Sequence, residues 1–384
     1  MKKEFTYKEF NPYSNLVFIR LLLDRFKLNP ILIGLLVYVA YYFGTLLLGC
    51  FSKVLFPPTN LEGYSIPFFQ NYIKDFTNQQ CTLALLADKS HFAFSTFVVL
   101  PGTIFAMFFL RKLPRYLIEF VDNDIITSPV NEINHLFEKF QKRIKLMYVH
   151  IFIIIISIIG FVIFLRFTSN PDFSYWWGSI NYGWDGRYLA LMIAIMLYHG
   201  LYILYIAFLF ILFIRDLMTL QIKLRPFHPD TCNGYQPLGN IILILFALSV
   251  VVAIAVFIVL YLGFLELQNT MFMFGLIVGC LILTPLLILL PSYFVVSKIK
   301  SEKNKLLEII EKRMNKITTE LEKQLIDDEG IAFHDKIDEL LKVNDSFGIY
   351  SKINIWPYNI RLIQTIVLTY ILQIVLLIYK SIIK

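Results

Sequence analysis

The sequence predicts an all-α, polytopic helical membrane protein with six or seven spans and a cytoplasmic helical hairpin. Of its 384 residues, 57% are hydrophobic and only 16% are charged. Apolar runs of about 20 residues, the length that crosses a bilayer core of about 30 Å, recur along the chain. The basic residues are concentrated in alternate connections between these runs. A soluble domain of this composition would expose large apolar patches to water and aggregate.

Six apolar runs are assigned to membrane spans and form a predicted bundle over residues 30–297. The spans are placed at about 30–50, 92–110, 146–166, 188–214, 241–264 and 271–297. A C-terminal apolar helix, 356–384, contains a seventh run at 360–379. Four polar residues interrupt this run, so the predicted number of membrane spans is six or seven. They are Gln364, Thr365, Thr369 and Gln373.

The distribution of Lys and Arg predicts which side of the membrane each connection faces. When the N-terminus is placed in the cytoplasm, 28 of the 35 basic residues fall in inner segments. Residues 1–29 are then an amphipathic cytoplasmic segment, too long and polar before the first apolar run to be a signal peptide. The predicted location is a bacterial inner (plasma) membrane. We interpret the net charge of +7 as an inner-leaflet signal and expect no nucleic acid partner.

Two helical segments are predicted to project into the cytoplasm. Ser128 and Pro129 are a good start for a helix, which we expect to run without a break into the third span. In the extension 298–355, heptad spacing predicts a short coiled coil followed by a second helix. Its apolar positions are Leu307, Ile310, Met314 and Ile317.

A pair of glycines in the sixth span adds to the prediction of self-association. Gly275 and Gly279 have the GxxxG spacing that lets two membrane helices approach closely. Together with the heptad positions, this pair predicts a homo-oligomer.

The stretch "KLRPFHPDTCNGYQPLGN", residues 223–240, lies between two very apolar segments. Its prolines and glycines favour a rigid elbow in which Asp230 and Asn233 satisfy backbone amides. A small-ligand or phosphate contact through His228, Asp230, Asn233 and Gly234 is the alternative. A metal is less favoured, because the spacing of His228, Asp230 and Cys232 is no standard zinc pattern. We therefore predict no metal and no cofactor.

Part of this stretch resembles a known loop. "HPDTCNGYQPLGN" resembles the His-Pro-Asp, Gly-Gly, Leu-Gly loop of a family of uncharacterised bacterial multi-pass membrane proteins. The late segment "WPYNIRLIQTIVLTYILQIVLLI", 356–378, is similar to that family's closing apolar segment. The matching residues are His228, Pro229, Asp230, Gly234, Leu238 and Gly239, whereas Asn233 stands where the first paired glycine is usual. The resemblance implies a membrane topology and brings no activity with it.

The fourth span carries a stripe of polar aromatic side chains. Tyr198, Tyr202 and Tyr205 lie at i, i+4 and i+7, beside His199, the only ionisable residue predicted well inside a span. Ionisable residues at that depth are candidates for function, so the stripe predicts a pore or substrate path. The alternative is a buried histidine that is hydrogen-bonded to a carbonyl or to a tyrosine.

Two cysteines are predicted on the outer side. Cys50 and Cys81 could form a disulfide across the first outer loop, and two free thiols are the alternative.

These features together predict an oligomeric inner-membrane channel or pore-like protein. Its spans lack charged residues at their centres, and its cytoplasmic helices could receive a cytosolic protein or small-molecule signal. The expected partners are the lipid bilayer and other copies of the chain. A small-molecule transporter that binds substrate among the tyrosines is the alternative. A membrane enzyme that uses the 228–232 loop is less favoured, because no catalytic motif is present.

Overall fold

The computed structural model describes residues 6–56, 84–169, 176–179, 184–230, 232–261, 270–327 and 330–357. Within these ranges the chain is helical and contains no named strand; an isolated antiparallel bridge joins Ile126 and Ile222. The all-α prediction is therefore confirmed for the described residues. The helices are α1 Val17–Arg20, α2 Pro30–Phe51, α3 Lys89–Phe94, α4 Leu100–Asp122, α5 Val130–Ile144, α6 Met147–Thr168, α7 Asp185–Leu217, α8 Gln236–Tyr261, α9 Thr270–Asp327 and α10 Gly330–Ser351.

Four stretches of helix are long and apolar enough to cross a membrane. They are α2, His91–Asp122 in α3 and α4, Val130–Arg166 in α5 and α6, and α7. They coincide with the first four predicted spans. The described apolar part of α8, Gln236–Val252, is shorter, and the predicted sixth span lies within α9. The run 360–379 lies outside the described residues.

The bundle has two ends, which we name after the predicted orientation. The inner end is formed by residues 6–29, 123–129, 218–230 and 232–235, and the outer end by 52–56, 84–91, 176–179 and 184–185. Local chemistry explains where α2 starts at the inner end. The side chain of Asn29 accepts a hydrogen bond from the Ile31 backbone N–H at 3.0 Å, and Pro30 occupies the first helical position.

The main hydrophobic core lies towards the inner end. Its largest fully buried side chains include Phe109, Leu110, Leu113 and Phe120 of α4, Phe137 of α5 and Phe210 of α7. The N-terminal segment completes this core, because the Phe10 ring lies 5.6 Å from that of Phe137 and 4.9 Å from that of Phe140. The first 29 residues are thus partly built into the fold.

The predicted continuous helix from 129 into the third span is wrong. The structure ends α5 at Ile144 and starts α6 at Met147. The break lets α5 pack its apolar face on α7, where Phe213 lies 4.9 Å from Phe140. Side chains also bond to backbone carbonyls at the break: the Tyr205 hydroxyl donates to Arg143 O, and the His150 ring lies 3.0 Å from Ile144 O. Packing and these two hydrogen bonds therefore replace the straight helix.

The longest helix, α9, has 58 residues, and α10 runs antiparallel to its C-terminal part. At 1.5 Å per residue, α9 is about 87 Å long. Val295 and Ile299 of α9 are fully buried in the bundle. We name residues 304–351, the distal part of α9 together with α10, the arm.

The predicted heptad positions are used within the chain. Ile310, Met314 and Ile317 pack against Ile337, Leu340 and Val343 of α10, and Arg313 pairs with Glu339 at 3.0 Å. Leu307 is only partly buried and lies outside this cluster. Because α10 covers this face of α9, the heptad stretch gives no support to a coiled coil with a second copy. Gly275 and Gly279 lie in the part of α9 whose side chains are not described.

Candidate functional site

The loop between α7 and α8 is held to the bundle and closes the start of α8. The Lys223 backbone N–H donates to Ile125 O at 2.8 Å, which attaches the loop to the connection after α4. Asp230 then caps α8: its Oδ1 accepts from the N–H of Cys232 at 3.0 Å and of Gly234 at 2.9 Å. Its Oδ2 accepts from Gln236 N at 3.2 Å. These bonds fit the elbow role favoured by the sequence.

The Asp230 carboxyl group is held ionised by its surroundings. Burial raises its pKa, but the hydrogen bonds from Gly234, Gln236, His228 and Cys232 outweigh burial, so the net pKa lies below its usual value. The His228 Nδ1 lies 2.8 Å from Asp230 Oδ1. Both oxygens are therefore already occupied by donors from the loop itself.

We expect Asp230→Ala to destabilise the protein by about 2–3 kcal/mol at pH 7, because several backbone donors lose their acceptor. A carboxyl group whose pKa is lowered by folding stabilises fully above its unfolded pKa of about 4, and this is lost as the pH falls through the folded value. The difference in unfolding temperature between the wild type and Asp230→Ala should therefore shrink from pH 7 to about pH 3. Thermal unfolding of the detergent-purified proteins measures it.

Asp345→Ala is the control, because Asp345 of α10 is exposed and its carboxylate accepts no hydrogen bond within the described part of the chain. That variant should match the wild type at both pH values. A constant gap for Asp230→Ala across the pH range would contradict the capping role.

The left-handed turn at 233–234 joins this loop to the end of the arm. Asn233 and Gly234 have φ values of +57° and +88°. The Asn233 Nδ2 donates to Asn354 O at 2.7 Å, and the Lys303 Nζ donates to Ser351 O at 2.6 Å and to Ile353 O at 3.1 Å. We name Asn233, Lys303 and residues 351–354 the arm junction. Asn233 and Asn354 are 121 positions apart, and no local pattern predicts that they meet here.

Next to the arm junction, Tyr235 is fully buried at the start of α8. Its ring lies 5.4 Å from that of Phe120, and its hydroxyl group has no hydrogen-bond partner. Burial raises the pKa of this phenol, and the nearby negative charge of Glu302 raises it further.

Among the described residues, no three His, Cys, Asp or Glu side chains come together as a group that could hold a metal ion.

The structure divides the predicted tyrosine stripe into two parts. Tyr202 is fully buried, and its hydroxyl group donates to Pro12 O at 3.1 Å, while Tyr205 donates to Arg143 O. These two side chains anchor the N-terminal segment and the α5–α6 break. Tyr198 and His199 instead line an open groove of about 320 Å³ between α6 and α7. The His199 Nδ1 donates to Ile195 O of its own helix at 2.8 Å.

The apolar groove beside Tyr198 and His199 opens on the surface of the bundle. Its walls are formed by side chains of α6 and α7 that include Ile154, Phe161 and Leu191. The Ser157 hydroxyl in the wall is bonded to Ile153 O at 2.8 Å. The groove therefore suits an apolar molecule or a lipid chain better than a hydrated ion.

One of the two outer cysteines can be placed. Cys50, in the last turn of α2, is a free and partly buried thiol. Its predicted disulfide partner, Cys81, lies outside the described residues.

A buried polar cluster at the outer end was missed by the sequence reasoning. We name Thr45, Asp88, His91, Trp176 and Trp177 the outer box. Asp88 Oδ1 accepts from the His91 backbone N–H at 3.1 Å, and its Oδ2 accepts from the indole N–H groups of Trp176 at 3.1 Å and Trp177 at 2.8 Å. The His91 Nε2 lies 3.1 Å from Thr45 Oγ1. Two sequence features could have indicated this cluster: the Asp-x-x-His spacing at the start of an apolar helix, and the Trp-Trp pair.

No family model matches the chain, and neither a curated protein nor a solved structure matches it. The resemblance of residues 228–239 to a loop of bacterial multi-pass membrane proteins stays a prediction.

Proposed function

We propose that the protein is a gated channel or pore of a bacterial inner membrane, controlled from the cytoplasm through the arm. In this proposal the chain has six or seven spans, a cytoplasmic N-terminus and a cytoplasmic helical hairpin formed by the arm. The observation that carries the proposal is the continuity of α9. One unbroken helix places Val295 and Ile299 in the bundle core and Ile317 in the packing with α10. A force on the arm therefore acts directly on the bundle.

The arm junction is the contact that such a signal would act on. Asn233 and Lys303 hold the chain after α10 through three backbone carbonyls, those of Ser351, Ile353 and Asn354. A cytosolic protein or small molecule that binds the arm more tightly when these bonds are broken would shift the population towards the released state. Because Asn233 belongs to the loop that starts α8, release would affect a second helix of the bundle.

The packing at the inner end supports a closed state. Phe137 and Phe140 each lie 4.9 Å from Phe213, and Phe10 covers them from the N-terminal segment. These rings, with the buried side chains of α4, fill the described inner end with apolar atoms. Ions could not cross such a region without a rearrangement, because an unpaired charge in an apolar interior is very costly.

Self-association is part of the proposal and is supported by an uncovered apolar face. The side chains of α6 that are exposed include Ile151, Ile155, Ile158, Ile159 and Ile163. Lipid or a second copy would cover them in a membrane.

A small-molecule transporter is the second candidate, favoured by the groove beside Tyr198 and His199. An enzyme that uses the 228–232 loop is not proposed. The Asp230 oxygens are engaged in capping α8, and His228 is paired with that same carboxylate.

Purified protein reconstituted into planar bilayers tests the channel, and the double variant Asn233→Gly/Lys303→Met tests the role of the arm. Glycine tolerates the left-handed backbone at 233, so this variant removes hydrogen bonds without adding strain. Loss of bonds worth about 1 kcal/mol each should raise the open probability about tenfold or more. Lys305→Met is the matched control, because Lys305 is exposed and pairs only with Glu302 among the described residues.

Several outcomes would contradict the proposal. Saturable solute uptake into vesicles without current steps would replace the channel with the transporter. Equal open probabilities in the double variant and in Lys305→Met would exclude control through the arm junction.

A further inference from the structure

The outer box holds an unusual concentration of buried ionisable groups. Among the described residues, the buried Asp, Glu, His, Lys and Arg side chains are Asp88, His91 and Asp185, and all three lie at the outer end. Groups of this kind are expensive to keep in a membrane protein and by default indicate function. The described inner end contains no fully buried side chain of these types.

The hydrogen bonds of the outer box determine the tautomer of His91. The Thr45 hydroxyl group donates to Tyr42 O at 2.7 Å, so its oxygen acts as the acceptor towards His91. The His91 Nε2 therefore carries the hydrogen and donates to Thr45 Oγ1 at 3.1 Å. The neutral ring is left with a bare lone pair on Nδ1. That nitrogen is buried and has no hydrogen-bond partner among the residues that the structure describes.

Two kinds of neighbour could balance a positive charge on the buried His91 ring. The Asp88 carboxylate accepts several N–H groups, which stabilises its ionised form. The Tyr42 ring is stacked on the imidazole with centroids 5.8 Å apart, and the Tyr41 ring lies 5.4 Å away. Aromatic faces attract a cation. Protonation would therefore place a charge where a carboxylate and two rings can balance it.

The other titratable groups near His91 come from a small number of elements. The titratable side chains of α2 are Tyr38, Tyr41, Tyr42 and Cys50, and of these Tyr41 and Tyr42 lie against the His91 ring. The first turn of α7, which packs on α2, adds Asp185, Arg187 and Tyr188. Trp176 and Trp177 contribute neutral indoles. Residues 246–260 of α8 contain no titratable side chain.

We propose that His91 Nδ1 is a proton-binding site through which acidification of the outer side regulates the protein. A hydronium ion of the outer solution supplies the proton: its O–H bond breaks, an N–H bond forms at the Nδ1 lone pair, and a water molecule is released. The regulatory consequence rests on the proposed channel function, whereas proton binding does not. No metal is required, because the outer box offers a single free lone pair on the imidazole.

One helical stretch connects the outer box to the apolar core at the inner end, which closes the proposed channel. His91 lies in α3, which continues through a π-helical turn at Ser95–Val99 into α4. Turns of this kind often mark functional sites in membrane and soluble helices. The far part of α4 supplies Leu113 and Leu117 to the inner core. A change in charge at His91 can thus shift α3 relative to α2 and pass along α4 to the inner end.

Tryptophan emission tests proton binding directly, in wild-type protein held in lipid nanodiscs. The Trp177 ring lies 4.9 Å from the His91 ring, and an imidazolium quenches a neighbouring indole. Lowering the pH from about 7.5 to about 3 should reduce the emission by up to about one quarter, since Trp177 is one of four tryptophans. His91→Gln should abolish this transition and His199→Gln should retain it.

Trp177→Phe keeps the test decisive should His91→Gln fail to fold, because it removes the reporter and leaves the histidine in place. The proposal is overturned by a transition that persists unchanged in either His91→Gln or Trp177→Phe. It is equally overturned by the absence of a transition in folded wild-type protein.

Reconstituted flux tests the regulatory consequence separately. Flux should depend on the outer pH in the wild type and should lose that dependence in His91→Gln. An emission transition without any flux would retain the proton site and refute the channel. Flux with an unchanged pH dependence in His91→Gln would refute regulation through this site.

Discussion

Gly234→Ala is expected to destabilise the protein by about 2–5 kcal/mol, from backbone strain and overpacking together. Gly234 has a φ of +88°, which residues with a side chain rarely adopt. A Cβ atom at this position would lie 2.3 Å from Ile125 Cδ1 and 2.9 Å from its Cγ1. Ile125 is fully buried, so it has little room to move away. Thermal unfolding of the detergent-purified variant, monitored by circular dichroism, measures the loss.

Gly200→Ala is the matched control for this substitution. Gly200 lies inside α7, and no atom lies within 4 Å of a Cβ built on it. Alanine is favoured over glycine in a helix by about 0.5–1 kcal/mol, so this variant should be as stable as the wild type or slightly more stable. If Gly234→Ala behaves in the same way, the turn that starts α8 is not as tightly packed as the structure indicates.

Tyr202→Ala is expected to lower stability by about 3–5 kcal/mol, as large-to-small changes of buried aromatic side chains do. The Tyr202 side chain is fully buried, lies 5.2 Å from the His150 ring and bonds to Pro12 O. Its loss should also release the N-terminal segment. Trypsin should then cut at Arg20 and Arg25 faster than in the wild type. Tyr202→Phe should lose only about 1 kcal/mol, the value of the hydrogen bond.

Tyr198→Ala serves as the control for this substitution, because Tyr198 lines an open groove and leaves no closed cavity when shortened. It should lose less stability and leave the trypsin sites protected. If Tyr202→Ala instead changes the reconstituted current while stability and protease resistance stay at wild-type values, Tyr202 lines a pore, as the tyrosine spacing predicts.

The class of fold and the first four spans could be predicted because their signals are local. A run of about 20 apolar residues becomes a membrane-length helix whatever its neighbours are, since backbone groups in lipid must bond within the helix. The turn at 228–236 was also readable, because an Asp followed by exposed backbone N–H groups caps a helix within a few residues. The bonds of Asp230 to Cys232, Gly234 and Gln236 are of that short range.

The break after α5 and the covering of the α9 heptad positions could not be read in this way. The pattern in each segment is compatible with two partners, and only packing decides between them. α5 could have continued into α6, but Phe213 and Tyr205 of α7 offer contacts that a straight helix would lose. The apolar face of α9 could have packed against a second copy of the chain, but in the structure it packs against α10 of the same chain.

The outer box shows most clearly what tertiary structure decides. By itself the sequence determined a helical membrane protein, its apolar segments and its capped elbow, because each depends on residues a few positions apart. Thr45 and His91 are 46 positions apart, and Trp177 is 89 positions from Asp88. Only the packing of α2, α3 and the 176–179 segment brings these polar groups together. That arrangement makes the His91 Nδ1 lone pair a candidate proton-binding site, because the ring is buried and its other nitrogen is bonded to Thr45.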